Sequence, residues 1–411
     1  MNPRRSIATV AVATILVAAG GYAILVIAAR ALGPEQYLSF SVFWAALYLA
    51  VGAVFGVQQE TTRSVRTENL SGSASSAGGA RAIYSGLIVG LLIAAVVALT
   101  SFGWASSVFG EDSPLFVSLI VGGTVLYAGH ATLAGVLGGL GQWKSYSSLL
   151  TSEAAVRLML IFVVALLSLS VAGLAVAGTL GMATWLLFLV QNQFRAAAAA
   201  RLDASLWRSV ANSLQSVLAS GASAVIVTGF PLILAGIARD EDPSELAIIV
   251  LIVTLTRAPV MLPLNAFMGM IVASFVERRT HGLPVVIKAM GAVLGFAAAL
   301  GVVATFIGPD LLTFFFGDAY VADGIFIGAA TLAAGLIGVI SISGAAALAR
   351  GRHVLYTVGW LVAALTTCLV LFLALPLEDR VLLSLVLGPV IGATVHILAL
   401  AGPSTKRGRR A

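Results

Sequence analysis

Three charged residues, Glu153, Arg157 and Arg257, fall well away from the ends of apolar stretches long enough to cross a bilayer. An ionised side chain near the bilayer centre costs roughly 2.5–3.5 kcal/mol on insertion scales, so one that persists faces a polar cavity, a partner or a ligand. Arg257 is about eleven residues from the outer end of its span, roughly 17 Å at 1.5 Å per residue and close to the midplane. No acid lies within one helical turn of it, and Pro259 and Pro263 follow. Each proline removes a backbone N–H and tends to kink the helix. An arginine there suits an anionic headgroup, because its planar fork binds phosphate oxygens bidentately. The plainer reading is a structural bond to carbonyls freed by the prolines, or to Glu153.

Glu153 and Arg157 are four residues apart, with Glu on the N-terminal side as a stabilising helical pair prefers. They form either a mutually neutralising pair or a working one, in which Glu153 takes a proton or Na⁺ as the coupling ion and Arg157 contacts substrate. Arg63 and Arg66, just past the second apolar stretch, either attract a phosphate at the inner mouth or anchor the helix end as ordinary interfacial charges. His130 and His396 lie in apolar surroundings with no second ligand at metal spacing, so neither suggests a metal. Asp240, Glu241 and Asp242 form a short acidic cluster, the one place where a membrane glycosyltransferase would find catalytic acids. No phosphate loop is present: none of Lys144, Lys288 and Lys406 completes a G-x-x-x-x-G-K-[ST] sequence.

The elements that position these residues follow from composition. Sixty per cent hydrophobic and ten per cent charged residues exclude a soluble globular protein. The single cysteine, Cys368, allows neither a disulfide within the chain nor a thiolate metal cluster. Apolar stretches predict twelve spans, at about 7–32, 38–58, 81–109, 114–139, 148–169, 172–194, 209–237, 246–274, 285–307, 322–349, 354–375 and 381–400. All should be helices, because an open strand cannot satisfy its backbone in lipid. The first, although it follows Arg4 and Arg5, is too long for a cleaved signal. About 59–80 reads as a polar Ser/Gly-rich loop.

Eighteen of the twenty-three Lys and Arg residues fall in every second connection; the opposite face has only Arg30, Arg239 and Arg380. Inner loops are enriched in Lys and Arg, so both termini are expected in the cytoplasm. The net charge of +6 is spread over these loops and the tail, with no basic-aromatic patch that could follow a nucleic acid; membrane lipids are the expected contact of the basic tail. Three local patterns recur in order. Gly86-x-x-x-Gly90 matches Gly291-x-x-x-Gly295. Phe109-Gly110-Glu111-Asp112 matches Phe316-Gly317-Asp318, and Gly141-Gln142 with Tyr146 matches Gly351-Arg352 with Tyr356. Six helices separate equivalent positions, so the halves should run in parallel. The expectation is an all-α polytopic membrane protein: two six-helix lobes, residues 1–197 and 198–411, related by a pseudo-two-fold along the membrane normal.

Arg30-Ala31-Leu32-Gly33-Pro34-Glu35-Gln36-Tyr37 resembles the "R-x-L-G-P-E-x-Y-G" signature of Wzx-type polysaccharide flippases, with Leu38 in place of the final glycine. Gly56 to Arg63 at the end of span two, Arg257-Ala258-Pro259 and Phe316-Gly317-Asp318-Ala319-Tyr320 are similar to further stretches of that family. Met261 and Leu262 stand where aromatic residues often follow "R-x-P". The family is part of the multidrug/oligosaccharidyl-lipid/polysaccharide exporter superfamily. The resemblance implies a flippase rather than an enzyme, with no cofactor. It would carry a polyprenyl-phosphate- or diphosphate-linked glycan across a bacterial plasma membrane for cell-envelope polysaccharide synthesis, with glycan-assembly enzymes as partners. It further implies a cationic cleft between the lobes, to which Arg257, Arg157, Arg63 and Arg66 would contribute. A drug or cation exporter on the same fold is the alternative, with the glycosyltransferase a more distant one.

Overall fold

The computed structural model describes residues 3–71, 79–167, 170–277, 282–350 and 352–401. Among them the chain is helical throughout, and strand-like pairing is confined to an isolated bridge between Arg81 and Arg201. Arg278, Arg279, Gly351 and the basic tail from Lys406 to Arg410 lie outside the described residues. Among the described residues, ten helices are long and apolar enough to cross a membrane. One of these, Thr9–Asn69, is 61 residues long. At 1.5 Å per residue that is about 90 Å, enough for two crossings. The second crossing and the shorter apolar helix Val354–Val370 bring the spans to the expected twelve.

Helix α1 (Pro3–Ser71) holds the first two spans and is interrupted at Gly33, whose φ of 71° and ψ of 171° are non-helical. The cause is local: proline at 34 disfavours the helical region for the residue before it, and only glycine takes that positive φ without strain. The second span overruns its expected end. Residues 59–71, read as loop, are helical, because Thr61, Ser64 and Val65 form a buried face and Glu60 pairs with Arg63 one turn on.

Span three is α2 (Ala82–Ser101), followed by a turn and the short α3 (Ala105–Phe109); α4 (Ser113–Gly139) and α5 (Trp143–Leu167) are spans four and five. Span six breaks into α6 (Val171–Gly181) and α7 (Thr184–Phe188), and α8 (Asn192–Ala198) opens the linker. Span seven breaks at Thr228 into α9 (Leu206–Val227) and α10 (Phe230–Ile237). Five longer helices complete the chain: α11 (Pro243–Glu277), α12 (Gly282–Phe316), α13 (Gly324–Ala349), α14 (His353–Val370) and α15 (Leu377–Ala401).

The chain divides into two compact units, Met1–Leu251 with Asp310–Val321, and Ile252–Pro309 with Ala322–Ala411. In the first, the second span of α1 is the hub, packed on α4, α5 and α9. Its core holds Phe43, Leu47, Phe116, Ile120 and Met182. Helices α9 and α10, which follow residue 198, belong to this unit; Thr228 Oγ1 donates to the Tyr48 carbonyl at 3.2 Å. In the second unit α13, α14 and α15 pack together. There His396 is hydrogen-bonded as a packing residue, with Nδ1 3.0 Å from Ser343 Oγ and Nε2 3.1 Å from the Tyr356 carbonyl.

Two of the three recurrent patterns have matching geometry. Gly110 (φ 57°) and Gly317 (φ 104°) both follow a helix end in a positive-φ conformation. At the paired turns, Gln142 N–H donates to Leu137 O at 2.8 Å and Arg352 N–H to Ala347 O at 3.0 Å. Next, Tyr146 N–H and Tyr356 N–H donate to Gln142 O and Arg352 O at 3.0 and 3.1 Å. The glycine pairs differ. A Cβ on Gly86 would stand 1.8 Å from Thr132 Oγ1 and one on Gly90 2.3 Å from Ala128 Cβ, so that pair seats α2 on α4. Gly291 and Gly295 would meet nothing within 4 Å, so the second match is compositional.

Candidate functional site

Apolar helix α5 carries two charges on one face. Glu153 and Arg157 are each 4% exposed, and the Arg157 guanidinium bonds the Glu153 carboxylate directly. Helix α1 supplies the cover. Phe40, Trp44 and Tyr48, spaced at four residues, form a ladder with centroids 5.4 and 4.9 Å apart. The Arg157 guanidinium carbon lies 5.9 Å from the Trp44 ring centroid and 5.7 Å from that of Tyr48. A cation gains about 0.5–2 kcal/mol from an aromatic face at such distances.

Helix α6 makes room for this arrangement by omission. A Cβ on Gly181 would stand 2.5 Å from Arg157 Cβ, and one on Gly178 2.6 Å from Trp44. On α4, buried His130 stacks on Tyr127 at 5.2 Å. Near the start of α5, Gln58 Nε2 donates to the Tyr146 hydroxyl at 3.2 Å. Buried Arg157 Nε and His130 Nδ1 have no hydrogen-bond partner among the described residues. The pair is therefore closed electrostatically but not saturated. Removing the Glu153 charge, by a proton or a substitution, leaves a buried guanidinium with two aromatic faces and spare donors. Such a group takes an anion.

Arg257 belongs to the second unit and is 7% exposed on α11. Both prolines of its sequence neighbourhood lie inside that helix. Proline at 259 cannot donate to the Leu255 carbonyl, nor proline at 263 to that of residue 259, so the helix is weakened on the C-terminal side of Arg257. Thr256 Oγ1 turns back to the Ile252 carbonyl at 2.8 Å.

Arg63 is engaged by acids. It bonds Glu60 through Nε (2.8 Å) and Nη2 (2.6 Å), and Asp203 through Nη1 (3.2 Å). Ser64 Oγ donates to Asp203 Oδ1 at 2.5 Å, and Asp203 N–H donates back to Ser64 Oγ at 3.0 Å. Asp203 sits in the linker after α8, which also pairs with the strand-like residues before α2 through Leu202 N–H to Ala80 O (2.9 Å). Arg66 is exposed one turn away. The acidic cluster at 240–242 is partly structural: Asp242 Oδ1 accepts from Ser244 N–H (2.8 Å) and Glu245 N–H (3.1 Å), capping α11. No group of three or more metal-ligating side chains is assembled among the described residues.

Sequence reasoning passed over Trp44, Tyr48 and Asp203. The aromatic ladder was legible as Phe40, Trp44 and Tyr48 at helical spacing within a span. Asp203 had no local signal, since its partners are 139 and 140 residues away.

No protein-family model matches the chain. A Mycobacterium tuberculosis protein described as uncharacterised is 36% identical over 404 residues, 97% of this chain and 92% of its own length. A Mycobacterium bovis protein so described is 34% identical over 398 residues, 96% of this chain and 92% of its own. Among solved structures, an inward-facing multidrug-resistance MATE transporter of the MOP superfamily gives a TM-score of 0.69 at 17% identity, covering 92% of each chain. An outward-facing one gives 0.66 at 16% identity, covering 97% of this chain and 95% of the other. A MOP-superfamily transporter from Pyrococcus furiosus, whose binding pocket of reverse polarity suggests a different function, gives 0.60 at 14% identity over 98% of each. At these identities the likeness to solved structures is one of fold.

Proposed function

The chain belongs to one family with these mycobacterial proteins and has the fold of the multidrug/oligosaccharidyl-lipid/polysaccharide exporter superfamily, and on that premise we propose that it is a flippase for a polyprenyl-phosphate- or diphosphate-linked glycan. Its fold is that of membrane transporters that alternate between inward- and outward-facing forms. The glycan headgroup, carrying its phosphates, enters a polar path through the protein, while the polyprenyl tail stays in lipid. The membrane is a bacterial plasma membrane, with both termini inside, and the product serves cell-envelope polysaccharide synthesis.

One observation carries the reading: Arg157 and Arg257 are each buried within a span, and Arg157 is bonded to Glu153. A guanidinium at depth selects an anion and repels a cation. Arg257, beside the weakened turn of α11, binds the phosphates. Arg157 is freed to meet an anion once Glu153 takes up a proton or Na⁺, which couples the cycle to an ion gradient. Arg66, exposed one turn from the Arg63–Glu60–Asp203 cluster, attracts the phosphate at the inner mouth.

Export of a cationic drug is the second reading, favoured by the multidrug transporters among the fold neighbours. It would need Glu153 to accept the drug cation beside the Arg157 guanidinium, which repels it. The test is depletion of the protein in its host, followed by mass spectrometry of the lipid fraction. A lipid-linked sugar should accumulate, and Arg257→Ala should fail to clear it while remaining folded in the membrane. Clearance by Arg257→Ala at the parental rate would sink the assignment.

A further inference from the structure

Two stretches that carried the family resemblance, 30–37 and 316–320, have no part in the buried site. They meet at the face that the charge distribution assigns to the outside. Helix α12 ends at Phe316, and the last carbonyls of a helix lack partners within it. Arg30 supplies them. Its Nε donates to the Phe315 carbonyl at 2.6 Å and its Nη2 to the Phe314 carbonyl, across 285 and 284 residues of sequence. Its positive charge also complements the negative end of the helix dipole.

The capping is reciprocal. Gly317, at φ 104°, turns the chain so that Tyr320 comes back, with Tyr320 N–H donating to Gly317 O at 3.0 Å. The Tyr320 hydroxyl then donates to the Ala29 carbonyl at 3.1 Å, one turn before the Gly33 interruption. Tyr37, just past that interruption, meets the Tyr320 ring edge-on at 6.1 Å. Both tyrosines are 1% exposed, and burial pushes the Tyr320 phenol above its ordinary value, which keeps it a donor at neutral pH. The segment Asp310–Val321 belongs to the first unit although the rest of its helix belongs to the second.

We propose that this clasp is the outer gate of the transport cycle: Arg30 and Tyr320 hold the end of α12 against the first hairpin while the outer mouth is shut, and release it when the mouth opens. The clasp joins residues far apart in sequence within the first unit, at the point where α12 passes from the second unit into the first. It rests on side-chain-to-carbonyl bonds and one ring contact between tyrosines, with Arg30 itself exposed, so the arginine half can release first. The gate role rests on the transport reading, but the measurement below needs no cargo, so failure of the glycan assignment would leave it standing.

The measurement is labelling by a membrane-impermeant thiol reagent applied from outside to right-side-out vesicles. The only cysteine is first removed by Cys368→Ser. Ala29→Cys, at a position 1% exposed beneath the clasp, then reports opening. Tyr320→Phe keeps the ring and loses one hydrogen bond, and about 1 kcal/mol corresponds to about a fivefold rise in the open population and in labelling rate. Arg30→Ala, which loses two bonds, should raise the rate further. Ser209→Cys, 3% exposed at the inner end of α9, serves as a control and should stay at its parental rate. Unchanged Ala29→Cys labelling in both variants would overturn the gate. So would an equal rise at Ser209→Cys, which would mark general loosening. Should Arg30→Ala fail to fold, the Tyr320→Phe result decides alone.

Discussion

Replacing Glu153 by glutamine removes one charge of a pair whose side chains are each 5% exposed. Breaking a buried pair by deleting one partner costs about 3–5 kcal/mol, because the remaining charge is left uncompensated. The two aromatic faces over the guanidinium are present with or without the carboxylate, so the expectation for Glu153→Gln is the full loss of about 3–5 kcal/mol. Arg157→Met leaves a buried carboxylate, so it too should lose about 3–5 kcal/mol. The double variant exchanges the ion pair for a neutral amide and an apolar chain of similar length, and such exchanges are often close to neutral. The two single losses should therefore exceed the double by at least about 3 kcal/mol, read from a double-mutant cycle. The assay is reversible unfolding in mixed micelles titrated with a denaturing detergent and followed by helical circular dichroism. A coupling energy below about 0.5 kcal/mol, the size expected of an exposed ion pair, would refute the closed pair.

Other outcomes follow from the same geometry. Gly181→Ala should cost about 1–3 kcal/mol through overpacking, because its Cβ would stand 2.5 Å from Arg157 Cβ and 2.8 Å from Arg157 Cα. The two glycine pairs should behave oppositely in thermal melts: Gly86→Ala destabilises against Thr132, while Gly291→Ala, with open space around it, changes stability by no more than about 1 kcal/mol. Asp203→Asn and Ser64→Ala should speed hydrogen exchange at the amides of Ala80, Ala82 and Leu202, which pair the linker to the chain before α2; unchanged protection would show the linker to be held by other contacts. Asp242→Ala should lower the stability of the α11 start by about 0.5–2 kcal/mol while transport continues, whereas loss of a transfer activity there would favour a glycosyltransferase.

Much of the fold was legible because hydrophobic length is a direct consequence of the bilayer. Span ends were less so, since they depend on what packs against them. The helix over 59–71 was missed because its buried face is polar, Thr61 and Ser64 beside Val65, and its cover comes from α4 and a distant linker. The break at 182–183 has no proline to announce it, whereas the one at 228–229 precedes Pro231 in the first turn of α10. Within the site, the four-residue spacing of Glu153 and Arg157 reported their contact, since helical neighbours are set by local geometry. The acids around Arg63 divide the same way: Glu60 is local, Asp203 is not. The turn at Gly351 that completes the third repeat lies outside the described residues, yet its flanking bonds match those at Gly141.

The claim on which the account turns is that the buried arginines move an anion. The most direct measurement is translocation in proteoliposomes containing the purified protein and a fluorescent polyprenyl-diphosphate-linked sugar, scored by accessibility of the sugar to an added enzyme. The account predicts transfer by the parent chain, loss to the protein-free rate with Arg257→Ala, and no uptake of a cationic dye under the same conditions. Transfer undiminished in Arg257→Ala, or transport of the dye in place of the lipid-linked sugar, would contradict it.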